Sequence, residues 1–536
     1  MRTLASSAPA SRDRRAASPA SSPRRERRAV PRLPHKWALL LCALCGVAQA
    51  LSFAPFELPW LQLLATGGLV ALLAHERPGV AFLRGWVFGA TWLGTGMWWI
   101  YISLHRYGGL PAWMAVAAVA LLAMLLALYY GLAAMGWALL RRRAVQTDAL
   151  LFAAWWLVAE LARAQFFTGF PWIASGYAHT SGPLALWAPW VGVYGIGAIA
   201  AWIAAVVALG LVGLRNGRWG LFRSVSPLLG PAALFIVGAL LPQGFTKSTG
   251  VISVSLYQTD VAQDEKFEAA RIQSALDAHE MVLGAMKGEL VVTPESSLPV
   301  LPDQIAPTTW ASYQKPFLVP GRGALIGIFT GDEERGYTNS VLGLSADHRM
   351  PDGTPYHYGK RHLLPFGEFI PPGAHWFIEL MHIPVGDQTR GTDTASFEVA
   401  GQRVRPLICY EDLFGEDFVD SMVGPGAATL MANVTNLAWF GPRMVQDQHL
   451  QFSRMRAMEF RRPQVRATNT GATAVIDHRG QVVARLPADT IGVLDAKVEG
   501  RIGDTPYARW LSRWRLWPLW VAAAFVFVAS RVVRGR

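Results

Sequence analysis

Apolar side chains in the first 244 residues come in membrane-length runs, near 37–55, 58–74, 85–104, 111–140, 149–167, 190–214 and 225–241. A hydrocarbon layer about 30 Å thick takes about 20 helical residues, so seven transmembrane helices are predicted. An eighth run near 516–530, WPLWVAAAFVFVAS, is short, but Trp510, Trp514 and Trp517 suit an interfacial aromatic belt. Between the seventh and eighth runs the pattern changes. From 245 to 512 the apolar runs shrink to 4–8 residues rich in Val, Ile and Leu and bounded by Gly, Pro and Asp, which predicts buried strands. Candidates are VISVSLY (251–257), LVVTP (290–294), LIGIF (325–329), VRPLIC (404–409), ATLMAN (428–433) and TAVID (473–477), with helical stretches near 264–286 and 446–461. Strands alternating with helices over about 260 residues indicate an α/β domain with its own core.

Residues 1–36, rich in Ala, Ser, Pro and Arg, cannot bury a core and read as a disordered basic tail. The expected division is therefore a cytoplasmic tail (1–36), a seven-helix membrane domain (37–244), an α/β domain (245–512), and a last transmembrane helix with a short tail (513–536). Only 16% of the 536 residues are charged and 52% are hydrophobic, which argues against a wholly soluble protein. The net charge, 49 − 37 = +12, would suggest a nucleic-acid partner in a soluble chain. Its location changes that reading. Arg77, Arg84, Arg141 to Arg143, Arg215, Arg218, Arg223, Arg531, Arg534 and Arg536 fall in alternate loops, against Arg106 alone in the others before residue 245. Positive loops stay cytoplasmic, so both termini are expected inside and 245–512 outside. The surplus then reads as topology and anionic-lipid contact, with no nucleic acid involved. Glu160 and Arg163, three apart in the fifth run, are expected to face each other on one helix.

The three cysteines exclude a disulfide framework, and Cys42 and Cys45 lie in an apolar run. Cys409, in VRPLICYEDLF, ends a predicted strand, where α/β folds place functional groups. Glu295 ends an equivalent strand in ELVVTPESSLP, and Lys360 lies in YHYGKRHLLPFGEFIPP. A carboxylate to take the thiol proton, a thiol to attack a carbonyl and an ammonium to stabilise the oxyanion make an acyl-transfer set. On residue types alone, a turn-capping Glu and a solvated Lys fit as well. His357, His362, His375, His382 and His449 form no spaced ligand set for a metal, and Gly321-Arg322-Gly323 lacks the lysine of a phosphate loop.

The segments TPESSLP, YGKRHLLPFGEFIPP and LICYEDLF resemble the Glu, Lys and Cys motifs of the nitrilase superfamily. SFAPFELPW (52–60), FGATWLGTGMWWIYISLHRYGG (88–109) and TGFPWIASGY (168–177) are similar to sequences of the apolipoprotein N-acyltransferase family, which the chain resembles from about 37 to 530. The resemblance implies a helical membrane domain of about eight spans plus an αββα nitrilase-like sandwich facing the periplasm, in the bacterial inner membrane. It implies transfer of an acyl chain from a phospholipid to the α-amino group of an apolipoprotein's N-terminal diacylglyceryl-cysteine. Carried over by motif, Cys409 is the nucleophile, Glu295 the general base and Lys360 the oxyanion stabiliser. Glu368 and Glu411 match further acidic positions, with roles in orienting Lys360 and holding the charge pattern. The Tyr410 N–H is a second oxyanion donor, and Trp172, Trp376, Phe377, Trp439 and Phe440 are candidate substrate contacts.

A free thiol with a pKa of about 8.5 is mostly protonated at neutral pH; a neighbouring carboxylate can accept its proton, and the ammonium is expected to favour the thiolate. Ping-pong kinetics follow, with no metal or cofactor, for a chain expected to act as a monomer among membrane lipids. Four positions depart from the family pattern: Leu437 stands for a usual Asp, Thr259 for a Gly, Asp260 for an Asn, and Phe267 for a Trp. Two rival readings stay open, a membrane-tethered nitrilase- or amidase-type hydrolase and a non-catalytic membrane scaffold. The stretch from Phe366 to Pro384 places several prolines around Trp376, Phe377, Leu380 and Met381, which share one helical face, and is expected to form a membrane-facing arm over the site.

Overall fold

The computed structural model describes residues 33–142, 144–215, 226–266, 268–348, 354–371, 387–442 and 444–532. In the first half the apolar runs are helical: α1 (His35–Ala50), α2 (Pro59–Leu73), α3 (Pro78–Gly96), α4 (Ala112–Leu140), α5 (Val145–Gln165), α6 (Ala188–Arg215) and α7 (Leu229–Leu240). Prolines set several starts. Pro59 and Pro78 open α2 and α3, and Pro111 caps α4, since a first-turn residue needs no N–H. By length and composition, three described helical stretches can cross a membrane: Ala112–Leu140, Val145–Thr168 and Pro183–Arg215. The other described apolar helices include four of 10–17 residues, fewer than full spans on these bounds. The predicted Glu160–Arg163 pair forms at 3.7 Å inside the helical part. Glu160 accepts from the Tyr130 hydroxyl (2.8 Å) and Ser175 N (2.9 Å), while Arg163 donates to the carbonyls of Phe170 (2.9 Å) and Trp172 (2.8 Å). The pair thus fastens the loop after α5.

The second half holds twelve strands: β1 (Lys247–Gln258), β2 (Leu290–Val292), β3 (Gly323–Asp332), β4 (Gly336–Ser345), β5 (Tyr356–Gly359), β6 (Phe397–Val399), β7 (Gln402–Ile408), β8 (Leu430–Thr435), β9 (Gln464–Thr468), β10 (Ala474–Ile476), β11 (Val482–Arg485) and β12 (Gly492–Ile502). They form two six-stranded sheets, β12-β1-β2-β3-β4-β5 and β11-β10-β9-β8-β7-β6. Each sheet is mixed: β1, β2 and β3 are parallel, as are β7, β8 and β9, with antiparallel strands outside them. The six predicted strands are present, and β4, β5, β6, β9, β11 and β12 are additions to the sequence reading. Val254, Leu256 and Val292 of one sheet pack with Val404, Ile408 and Val434 of the other. On the far face of the first sheet lie α8 (Ala269–Ala285) and α9 (Pro307–Gln314), through Leu283 and Tyr313 against Val291 and Ile326. On the far face of the second lies α10 (Met444–Phe460), which completes an αββα layering.

Helix α10 is unusual in composition for its place. Every residue from Gln448 to Phe460 is buried, among them Gln451, Ser453, Arg454, Arg456 and Glu459. Its second neighbour is the membrane part. Gln451 Oε1 accepts from Ala54 N, Arg454 pairs with Glu57 at 2.6 Å, and Glu459 accepts from Val193 N at 2.7 Å. After β12 the chain runs through α11 (Pro506–Trp514), capped by Thr505, into α12 (Trp517–Val532) beside α5.

Candidate active site

Three strands deliver the three motif residues. Glu295 follows β2, Lys360 directly follows β5, and Cys409 directly follows β7, so each sits at a strand's C-terminal edge. Lys360 is buried, with its Nζ 2.6 Å from Glu368 Oε1 and 3.5 Å from Glu295 Oε1. Its backbone is tied on both sides, N to the Asn339 carbonyl and O to Gly391 N, each at 2.8 Å. Glu368 is brought back by a tight turn in which Phe366 has a φ of +62°, and its second oxygen accepts from Leu364 N at 2.8 Å. Burial works to lower the Lys360 pKa, but the carboxylates of Glu368 and Glu295 outweigh it and the net shift is upward. The lysine is therefore a fixed cation.

Glu295 is gripped at both oxygens: Asn339 Nδ2 donates to Oε1 and Asn436 N to Oε2, each at 2.7 Å. The same Asn339 nitrogen reaches Glu368 Oε1 at 3.3 Å. Lys266 Nζ donates to the Glu295 carbonyl (3.2 Å) and to Ser296 Oγ (3.0 Å); burial drives its pKa down to about 8, against the pull of Glu295.

Cys409 has a φ of +50°, left-handed for a residue with a Cβ, and keeps part of its surface exposed. Enclosure of the sulfur, and then the negative charge of Glu295, push the thiol pKa well up, and Lys360 offsets only part of this. The Lys360 ammonium favours the thiolate, as expected, but burial and the Glu295 charge outweigh it. The thiol's proximity to the Glu295 carboxylate raises its pKa further.

Glu411 does not touch Lys360. It accepts from Ile408 N and Arg361 N at 2.7 Å, and the Tyr358 hydroxyl lies 2.9 Å from both its oxygens, so it ties the Cys segment to the Lys segment. Tyr410 is buried, its hydroxyl donating to the Gly169 carbonyl at 3.1 Å. Trp172 is buried between Trp99 and Phe452, with ring centroids 4.9 Å from each, whereas Trp439 is 40% exposed at the rim and stacks edge-on with Tyr107. Phe440 packs on Trp99 at 4.9 Å. Trp376, Phe377 and Phe267 lie outside the described residues, as does 372–384 of the expected arm. At the departures, Leu437 is buried in the apolar cluster shared with the membrane part, and Thr259 Oγ1 donates to Asn469 Oδ1 at 2.7 Å. Sequence reasoning missed Asn339, Asn436, Lys266 and the placing of His449 against the Cys409 carbonyl (3.1 Å). Lys266 and Asn436 stood beside noted departures, whereas nothing local marked Asn339.

Two family models match the chain: the apolipoprotein N-acyltransferase N-terminal domain over residues 45–206 and carbon-nitrogen hydrolase over residues 254–507. An apolipoprotein N-acyltransferase of Verminephrobacter eiseniae is 46% identical over 521 residues, 91% of this chain and 95% of that one. The chain belongs to the apolipoprotein N-acyltransferase family. A Ralstonia nicotianae apolipoprotein N-acyltransferase is 44% identical, over 90% of this chain and 91% of its own. One from Neisseria meningitidis serogroup A is 33% identical, over 92% and 96%. Among solved structures, a CN-hydrolase superfamily protein from Xanthomonas campestris matches 50% of this chain and 96% of its own, at 18% identity and a TM-score of 0.33. In this member of the apolipoprotein N-acyltransferase family the two matched regions meet at Gln448. Its Oε1 accepts from the indoles of Trp99 (3.2 Å) and Trp172 (2.8 Å), and its Nε2 donates to the Gly96 carbonyl (3.0 Å).

Proposed function

We propose that the chain moves an acyl chain from a phospholipid to the α-amino group of an apolipoprotein's diacylglyceryl-cysteine, through a thioester on Cys409. The observation that carries this reading is the convergence of Glu295, Lys360 and Cys409 at one enclosed site seated on an acyltransferase-type membrane part. Cys409 Sγ attacks the ester carbonyl as its proton passes to Glu295. The developing oxyanion is held by the Lys360 ammonium and the Tyr410 N–H, each worth a few kcal/mol. Collapse breaks the ester C–O bond, Glu295 returns the proton to the glycerol alkoxide, and the thioester remains. The neutral α-amine attacks the thioester carbonyl as Glu295 takes an N–H proton, the C–S bond breaks, and Glu295 passes that proton to the leaving sulfur, giving the amide and the free thiol. No step here draws on a metal or cofactor.

In this reading all eight apolar helices are membrane-embedded, residues 245–512 face the periplasm, both termini are cytoplasmic and the enzyme works as a monomer in the bacterial inner membrane. A hydrolase with the same site would pass its thioester to water; the Gln448 seat on the membrane part favours a lipid donor and acceptor instead. An inert scaffold is disfavoured by the paired and enclosed Lys360 and Glu295. Intact-mass measurement after incubation with phospholipid tests the proposal. The protein should gain one acyl chain and pass it to a diacylated lipopeptide. Cys409→Ala should gain none while staying folded, and transfer by that variant at near wild-type rate would end the mechanism. Lys360→Met should retain lipid binding and lose most turnover, because its role lies in the transition state.

A further inference from the structure

The peptide joining Cys409 to Tyr410 is held from one side. His449 Nε2 donates to the Cys409 carbonyl oxygen at 3.1 Å, and Asn433 Nδ2 approaches the same oxygen at 3.4 Å. The proton on His449 is assigned by its neighbour. Arg466 Nη1 donates to His449 Nδ1 at 2.9 Å, so Nδ1 is the bare nitrogen and Nε2 carries the hydrogen. Burial, and then the Arg466 charge, hold this imidazole well below its usual pKa, which keeps it neutral. Arg466 is in turn paired with Asp412 at 3.3 Å, and Gln464 Nε2 donates to Asp412 at 2.8 Å. The nucleophile turn is thus fastened at the Cys409 carbonyl from α10 and β8 and at the Asp412 carboxylate from β9. A left-handed residue with a Cβ persists only where its surroundings over-determine it.

A trans peptide directs its C=O and its N–H to opposite sides, and the Cys409–Tyr410 bond is trans. Holding the Cys409 oxygen against α10 therefore aims the Tyr410 N–H away from α10. We propose that His449 is a positioning residue for the oxyanion hole: by gripping the Cys409 carbonyl it aims the Tyr410 N–H at the oxyanion formed on the attacked carbonyl. This rests on the roles given above to Cys409 and Tyr410. Trp172 and Phe452, with ring centroids 5.9 Å away, keep the imidazole in place, and the neighbouring Gln448 ties the same turn of α10 to the membrane part.

The test compares two reactions of one sulfur. Acylation by phosphatidylethanolamine in detergent builds an oxyanion, whereas alkylation by iodoacetamide does not. His449→Phe keeps a ring and removes the donor. Acylation should slow roughly ten- to a hundredfold while alkylation stays within about threefold of wild type, as expected for a lost oxyanion term. His449→Gln, which can present an amide N–H near the old Nε2, should recover most of the acylation rate. Equal losses in both reactions would mean a generally disordered site and overturn the proposal, as would unchanged acylation. Should His449→Phe fail to fold, Asn433→Ala decides by the same comparison, with a smaller loss confined to acylation expected. Cys409→Ala separates the two levels. Transfer by that variant would sink the proposed function itself; an inert Cys409→Ala beside a His449→Phe that acylates normally would sink only the role of His449.

Discussion

Asn339 offers one amide nitrogen to two carboxylates, Glu295 at 2.7 Å and Glu368 at 3.3 Å, while its backbone carbonyl holds Lys360 N. It sets the spacing of the charged group that flanks the thiol. A hydrogen bond to a charged partner is worth about 1.5–3 kcal/mol, so Asn339→Ala should lower the rate of acyl-enzyme formation about ten- to a hundredfold with little change in lipid affinity. Pre-steady-state mass measurements check this, and a variant altered only in KM would contradict it. The upward-shifted thiol makes a second prediction, with its sign fixed. Because the folded site disfavours the thiolate, iodoacetamide alkylation of Cys409 should be slow at neutral pH and still rise about tenfold per pH unit beyond the free-thiol value of about 8.5. A rate that levels off near neutrality would show a preformed thiolate and sink the general-base role of Glu295.

Strands whose side chains are apolar were legible from their runs, as β1, β2, β3, β7, β8 and β10 show. The rest were hidden for a physical reason. Strand β9 buries Gln464, Arg466 and Thr468, which hydrogen-bond to Asp412, His449 and Thr473, so no hydrophobic run announces it. Strand β12 alternates exposed and partly buried positions, with Asp495, Lys497 and Glu499 along it. The Glu, Lys and Cys motifs were readable through their resemblance to nitrilase-superfamily segments, since residue types alone fitted a turn-capping Glu and a solvated Lys as well. The positions of Asn339 and His449 were not, because their roles depend on where β4 and α10 arrive. Helix α10 carries the clearest prediction at this scale. Gln448→Leu would leave two buried indole N–H groups and the Gly96 carbonyl without their partner, at about 1–3 kcal/mol per group. A thermal midpoint several degrees lower in detergent is expected, and an unchanged midpoint would refute the seat.

Across the whole molecule, the alternation of arginine-rich and arginine-poor loops is the ground for the proposed topology. A thiol or reporter placed at position 320 should react from the periplasmic side, and one placed after residue 533 from the cytoplasmic side. A cytoplasmic signal at 320 would overturn both the topology and the lipoprotein role. The embedding of α10 also has a consequence in time. The ribosome completes α7 at Leu240 and begins α10 at Met444, roughly 200 residues later, which at about 5–20 residues per second is on the order of ten to forty seconds. Throughout that interval the groups that will receive the helix, Trp99, Trp172 and Glu57 among them, lack the partners they have in the finished protein. The newborn membrane half is therefore an unfinished client for quality control, and a nascent chain stopped before residue 444 should be cleared by proteases even though all seven N-terminal helices are already made.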